Sequence, residues 1–311
     1  MSCYHPLQGW LSAERTEKGK RKVVFDRLKA WSDFAQPITV ACGQCIGCRL
    51  DKSLEWATRC YLEAKEYNEN CFITLTFNQE NLPKDGSLHK QDFQKFIKRL
   101  RKYFSTHANG RKVRYFHCGE YGESLTRPHH HACLFGIDFK DKILWSTRKG
   151  VKLYRSKTLE KLWSFGYSTV GDVTFESASY IARYTTKKFT NKEQKLVDEH
   201  YSGKLPEYIS MSTNPGIGKA FYEKYKKEIY PHDTIVIKRG NSFHNCMPSS
   251  YFDKKLEIDN PMVYTQIKER RVHHALNNPD NTPTRLAQRE LCKLKQKSML
   301  KRSYENETTS V

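Results

Sequence analysis

The sequence predicts an α+β fold with a largely antiparallel sheet flanked by helices, and three observations carry that expectation. Two strand-like runs, VRYFHC and the stretch ending ACLF, are joined only by the turn-rich GEYGESLTRP, which suits a hairpin-like join of neighbouring strands. Elsewhere strands are joined through segments of helical periodicity, so direct and helical connections are mixed along the chain. Hydrophobic residues make up 38% and aromatic residues 13% of the 311, enough for a real core and too much for a disordered protein.

The elements follow in order. Cysteines cluster early, with Cys3 and then Cys42, Cys45 and Cys48 in CGQCIGC. A helix follows, because Leu50, Leu54, Ala57, Tyr61 and Ala64 recur at steps of four and three. CFITLTF (71–77) is β-branched and aromatic, a strand by composition. Phe93, Phe96, Ile97, Leu100 and Phe104 form one face of a second helix whose other face is rich in Lys and Arg. VRYFHC (113–118) is a strand, and the histidine segment HHHACLF (129–135), stopped by Gly136, is another. LEKLWSFG (159–166) reads as a helix ended by Gly166. YSTVGDVTF reads as a strand, and SASYIARYTTKKF (177–189) as a helix capped by Ser177.

From Asn191 the chain becomes more polar. NPGIGK (214–219) is a turn-rich loop, NNPDNTPT marks a linker after Asn277, and RLAQRELCKLKQKSMLKR is a strongly basic, helix-compatible tail. The expected organisation is a Cys-rich N-terminal segment and helix at 1–69, a core at 70–190, an extension of that core at 191–276, and a linker with a basic tail at 277–311.

Charge narrows the function classes. Lys plus Arg number 54 against 34 Asp plus Glu, a formal charge of +20, which points first to nucleic acid as partner. A membrane-surface reading fails, since there is no amphipathic Trp/Leu-rich anchor and no long apolar stretch. MSCYHPLQGW lacks the apolar core of a signal peptide, so the 10 cysteines are expected in a reducing cytosol, as thiols or metal ligands. The G-x-x-x-x-G-K-[ST] phosphate loop is absent, which argues against an ATPase.

Chemistry-bearing residues concentrate in two places. Side chains alternate along a strand, so His129 and His131 share one face while His130 points away. Such a pair grips one metal ion or is a solvated strand end. Glu120 lies nine residues before His129, near the end of the preceding strand. Pairing of the two strands would place its carboxylate beside the imidazoles, and two histidines with one carboxylate suit a catalytic divalent ion. The bland alternative is an exposed histidine strand with an unrelated glutamate. Tyr180 and Tyr184 project from one helical face, with Lys187 and Lys188 one turn on. A phenol is an acceptable nucleophile toward a phosphodiester when a cation favours its phenolate, whereas a tyrosine stripe packed on the sheet would do no chemistry. For CGQCIGC three readings stay open: structural zinc with Cys3 or His5 as fourth ligand, an iron–sulfur cluster, or plain reduced thiols.

TLTF (74–77), CGEYGE (118–123), RPHHHACLFG (127–136) and YIARYTTKK (180–188), in this order, resemble the replication initiators of the gokushovirus branch of the Microviridae, small single-stranded DNA phages. These initiators belong to the HUH endonucleases, which start rolling-circle replication. CGQCIGCRL, MSTNPGIGKAFYEKY and SYFDKKLE extend the resemblance over residues 3–259. It implies an HUH-endonuclease core at 70–190, with His129 and His131 as metal ligands and Glu120 as the upstream acidic ligand. Tyr180 and Tyr184 match the paired nucleophiles, and Lys187 and Lys188 the lysine pair beyond them. One departure is His130, which stands where a bulky apolar or aromatic residue is usual.

The resemblance also implies Mg²⁺ or Mn²⁺ as cofactor and a single-stranded or melted origin as substrate. A phosphotyrosine intermediate would free a 3′-hydroxyl, and unit-length circles would be rejoined. Host replication helicase and polymerase would be partners, in the host cell cytoplasm. A competing class is a non-enzymatic, zinc-containing nucleic-acid binder. Charge and cysteines fit it equally well, but the tyrosine pair and the H-x-H strand do not. A transposase or relaxase of the same superfamily shares the chemistry but not the flanking phage-like motifs.

Overall fold

The computed structural model describes residues 3–17, 19–107, 110–122, 127–148, 150–183, 201 and 203–299. In chain order the strands and helices are β1 (Leu7–Arg15), β2 (Arg21–Val24), β3 (Ile38–Val40), α1 (Ile46–Lys65), β4 (Asn70–Phe77), α2 (Lys90–His107), β5 (Arg114–Tyr121) and β6 (Pro128–Phe135). Then come β7 (Lys142–Arg148), β8 (Val151–Ser156), α3 (Lys157–Leu162), β9 (Gly166–Gly171), α4 (Phe175–Arg183) and β10 (Tyr208–Met211). The chain continues with α5 (Lys219–His232), β11 (Ile235–Arg239), β12 (Ser242–Cys246), α6 (Ser250–Asp259), α7 (Pro261–Leu276) and α8 (Pro283–Ser298). Two compact units form, one from residues up to Asp51 together with those from Glu269 onward, the other from Lys52–Lys268.

The larger unit is α+β. Its seven-stranded sheet has the order β10-β5-β6-β4-β9-β8-β7, and every pairing is antiparallel. Each face carries its own core. On one face Phe72, Phe116, Cys133 and Phe135 meet α1 and α4. On the other, Ile73, Leu75, Ala132 and Leu134 meet α2 and α3. The buried side of α2 is Phe93, Phe96, Ile97, Leu100 and Phe104, the stripe its periodicity predicts. Each such side chain contributes about 1.5–3 kcal/mol of burial, enough to hold a helix whose remaining positions are largely basic.

Some local expectations change. Gly166 opens β9 instead of ending a helix; α3 stops at Leu162, with Trp163 as its C-cap. Ser177 sits one turn inside α4, and Thr174 is the cap: Ser177 N donates to Thr174 Oγ1 at 3.2 Å while Thr174 N donates to Ser177 Oγ at 2.8 Å. That reciprocal pair satisfies two amides a lone cap would leave open. The hairpin of β7 and β8 has no counterpart in the sequence pattern, nor does the N-terminal sheet β2-β1-β3. β10, from the polar stretch after Asn191, adds an edge strand against β5.

Candidate catalytic site

Register builds the site. β6 lies between β5 and β4, with Glu120 opposite His129 on one side and Thr74 opposite His131 on the other. Glu120, His129, His131 and Thr74 are all buried and lie on the α4 face of the sheet. One ligand atom from each of Glu120, His129 and His131 lies within 4.8 Å of the other two. Tyr180, on α4, joins them: its hydroxyl donates to Glu120 Oε1 at 2.7 Å, and its ring stands edge-on to His131 with centroids 4.9 Å apart.

The electrostatics favour an anion between two neutral imidazoles. Burial pushes the Glu120 carboxyl up, but the neighbouring histidines and the Tyr180 hydroxyl outweigh it and hold its pKa below the usual glutamate range. His129 is brought down to about 4, first by burial and then by His131, with Glu120 pulling the other way. His131 Nε2 approaches Glu120 Oε1 to 2.6 Å without hydrogen-bond alignment. On its far side His131 Nδ1 shares a 3.0 Å hydrogen bond with Thr74 Oγ1. A proton kept on Nδ1 and given to Thr74 leaves Nε2 as a ligand.

Glu120 Oε2, His129 Nδ1 and His131 Nε2 are buried with no hydrogen-bond partner among the described residues. Orphaned polar atoms of this kind are expensive unless something else satisfies them. A carboxylate oxygen with two neutral imidazole nitrogens, all deprotonated near neutral pH, is a donor set that fits a divalent cation.

His130 points to the opposite face and is fully buried among Phe77, Phe93 and Trp163. Its Nδ1 shares a 3.1 Å hydrogen bond with His117 Nε2, and His117 Nδ1 reaches Ser210 Oγ at 2.9 Å. That polar chain stands where an apolar side chain would need no partner.

Three further residues shape the site, and the sequence did not single them out. Thr74 sits inside TLTF, and only the strand order reveals what it touches. Gly122 packs under His129: a Cβ there would come within 2.8 Å of the imidazole Cε1. The Arg183 guanidinium lies 5.6 Å from the centre of the Tyr180 ring. Of the predicted site residues, Tyr184, Lys187 and Lys188 lie outside the described residues. Cys3, Cys42, Cys45 and Cys48 come together elsewhere, in the smaller unit. His5 does not join those cysteines; it is exposed and pairs with Glu290 at 2.6 Å.

Residues 70–189, which contain this site, match the family model of the ORF2-type replication-associated proteins. The chain is 33% identical to replication-associated protein ORF2 of Spiroplasma virus 4 over 287 residues, 87% of this chain and 86% of that protein. It is 33% identical to replication-associated protein VP4 of Bdellovibrio phage phiMH2K over 245 residues, covering 78% and 73% of the two chains. Replication-associated protein ORF4 of Chlamydia phage 1 is 35% identical over 153 residues, 48% of this chain and 38% of that one. No solved structure matches the chain. The class is therefore that of the phage replication-associated proteins. Within it, the chain belongs to the family found in gokushovirus-type Microviridae. Among the described residues, no helix is long and apolar enough to cross a membrane.

Proposed function

We propose that this protein initiates rolling-circle replication by nicking single-stranded or melted origin DNA through a phosphotyrosine intermediate, and that the larger unit is an HUH-endonuclease domain. The observation that carries the reading is a phenol, Tyr180, hydrogen-bonded at 2.7 Å to a buried carboxylate that also borders two neutral histidines. A tyrosine serving only as packing on a sheet would not need that company.

Glu120, His129 and His131 would hold Mg²⁺ or Mn²⁺, which when bound supplies Lewis-acid polarisation of the scissile phosphate. The chain's own residues do the rest. Thr74 orients His131, and Gly122 leaves room for His129. Glu120 Oε1 already accepts the Tyr180 hydrogen bond, so it offers the phenolic proton a first acceptor. Attack by the phenol oxygen forms a Tyr–O–P bond and breaks the P–O3′ bond. The proton ends on the departing 3′ oxygen, and the 5′ phosphate stays on the protein. One phosphodiester replaces another, so no nucleotide cofactor is consumed, in keeping with the missing phosphate loop.

Tyr184 makes the second cut, and the released 3′-hydroxyl then attacks the first phosphotyrosine to close a unit-length circle. Lys187 and Lys188 neutralise phosphate charge. The net charge of +20 holds the DNA backbone and makes binding strongly salt-dependent. Host helicase and polymerase extend the freed 3′ end in the host cytoplasm.

The test is incubation of the protein with a labelled origin strand and Mg²⁺ or Mn²⁺, read on a denaturing gel. Nicking that disappears with chelator and in both His129→Ala and His131→Ala supports the reading. Binding without any nick returns the protein to the class of non-enzymatic binders.

A further inference from the structure

The smaller unit has little to hold it together. Its buried apolar residues are few, and Leu7, Leu11, Val23, Phe25, Leu28 and Phe34 are exposed. What it does bury centres on sulfur: Cys3, Tyr4, Cys45, Ile46 and Leu286 form one cluster, with Cys42, Cys48 and Leu50 packed against it. A core of this size does not by itself order some eighty residues, and small domains of this kind commonly depend on a disulfide or a metal.

The four cysteines are not disulfide-bonded. One sulfur from each lies within 4.8 Å of the other three, and Cys42 Sγ is 3.9 Å from Cys48 Sγ. A disulfide needs about 2.05 Å. Sulfurs around a tetrahedral zinc with bonds of about 2.3 Å sit about 3.8 Å apart.

Backbone amides are aimed at the same sulfurs. Cys42 N donates to Cys3 Sγ at 3.2 Å, Tyr4 N to Cys45 Sγ at 3.3 Å and Cys48 N to Cys45 Sγ at 3.5 Å. Gln44 N and Cys45 N both donate to Cys42 Sγ, at 3.4 and 3.3 Å. Amides converging on sulfur favour thiolates, the form a metal binds. The tight turn this requires passes through Gly43 at φ 74°, where a residue with a Cβ would be strained.

The same cluster seats the basic C-terminal helix. Leu286 of α8 packs into it, Glu290 pairs with His5, and the Arg289 guanidinium lies 5.9 Å from the centre of the Tyr4 ring. Every one of those partners is Cys3 or a residue within two positions of it, or belongs to the cysteine turn.

We propose that Cys3, Cys42, Cys45 and Cys48 form a tetrathiolate zinc site, and that the ion holds α8 in place by fixing the N-terminal residues beneath it. This inference stands apart from the nicking chemistry. It uses no residue of the Glu120 site and survives if that site proves inactive.

The experiment uses the whole chain, purified under reducing conditions without added metal. About one tightly held zinc per chain is expected. Exchange for cobalt should give intense sulfur-to-cobalt charge-transfer absorption, a signal the sulfur-free Glu120 site cannot produce. Removing the metal should raise hydrogen exchange in residues 283–298 by at least roughly tenfold. Leu286→Ala should loosen α8 while leaving the zinc in place. Cys45→Ser should lose the metal; should it fail to fold, Cys3→His is the variant to read, since it should keep the ion and weaken the charge-transfer band. Folded protein without zinc, iron with acid-labile sulfide in its place, cobalt without charge transfer, or α8 exchange indifferent to metal removal would each overturn the proposal.

Discussion

Acid should destabilise this protein well before its carboxylates titrate. Burial, and then repulsion by His129 and His131, push His130 down to about 3, while His129 is held at about 4. An imidazole in an unfolded chain titrates near about 6.5. Both folded values lie below the unfolded one, so between them the unfolded state binds more protons than the fold. Stability is complete above the unfolded pKa and is lost as pH falls through the window toward 3–4. At pH 5 the unfolded imidazole is almost fully charged and the folded one almost neutral. Relative to pH 7 that difference costs about 2 kcal/mol for His130 alone and about as much again for His129. About 4 kcal/mol is a large part of a typical stability of 5–15 kcal/mol.

The assay is urea unfolding of metal-free protein at pH 7, 6 and 5 at constant ionic strength, alongside His130→Phe. The variant loses the His117 hydrogen bond and starts less stable at pH 7. Its stability should nevertheless fall about 2 kcal/mol less on going to pH 5. Parallel falls in the two proteins, or none in either, would refute the assignment of His130 as a buried neutral imidazole.

Three other outcomes follow from the geometry. Tyr180→Phe keeps the ring against His131 but removes a hydrogen bond to a charged group, which should lower stability by about 1.5–3 kcal/mol in denaturant titrations; an unchanged midpoint would mean that the Glu120 hydrogen bond is idle. Gly122→Ala drives a methyl into the His129 ring and should weaken Mn²⁺ binding, followed by calorimetry, by about 10–100-fold with the fold retained. Replacing Lys293, Lys295 and Lys297 of α8 by Gln should flatten the salt dependence of single-stranded DNA affinity by about 0.7 in log–log slope for each phosphate no longer neutralised. Nicking at saturating protein should persist in that variant, and its loss would show that α8 does more than bind.

Much of the site was readable from side-chain alternation. Period two on one strand puts His129 and His131 together and turns His130 to the other face, and the short join to β5 brings Glu120 opposite His129. The five apolar positions of α2 were equally plain, because a fully packed face imposes its period on the sequence. What escaped lacks that imprint. Ile143, Leu144 and Trp145 of β7 are all exposed, so this outermost strand of the sheet shows no burial rhythm. β1 buries only Gly9 and Ser12, neither of which reads as apolar. Thr74, His117 and Ser210 acquire meaning only through the strand order, which brings β4 and β10 beside β6 and β5 from far along the chain. His130 was legible in direction, but its hydrogen-bonded partner His117 was not.

The most direct test of the central claim is mass-spectrometric mapping of the covalent DNA–peptide adduct formed on a labelled origin strand. The account predicts a nucleotide attached through phosphate to Tyr180 or Tyr184. Tyr180→Phe and Tyr184→Phe should each retain some adduct but fail to close circles efficiently. The Tyr180→Phe/Tyr184→Phe double variant should bind the strand normally and form no adduct. An adduct on any other residue, or one persisting in the double variant, would contradict the assignment of the nucleophiles.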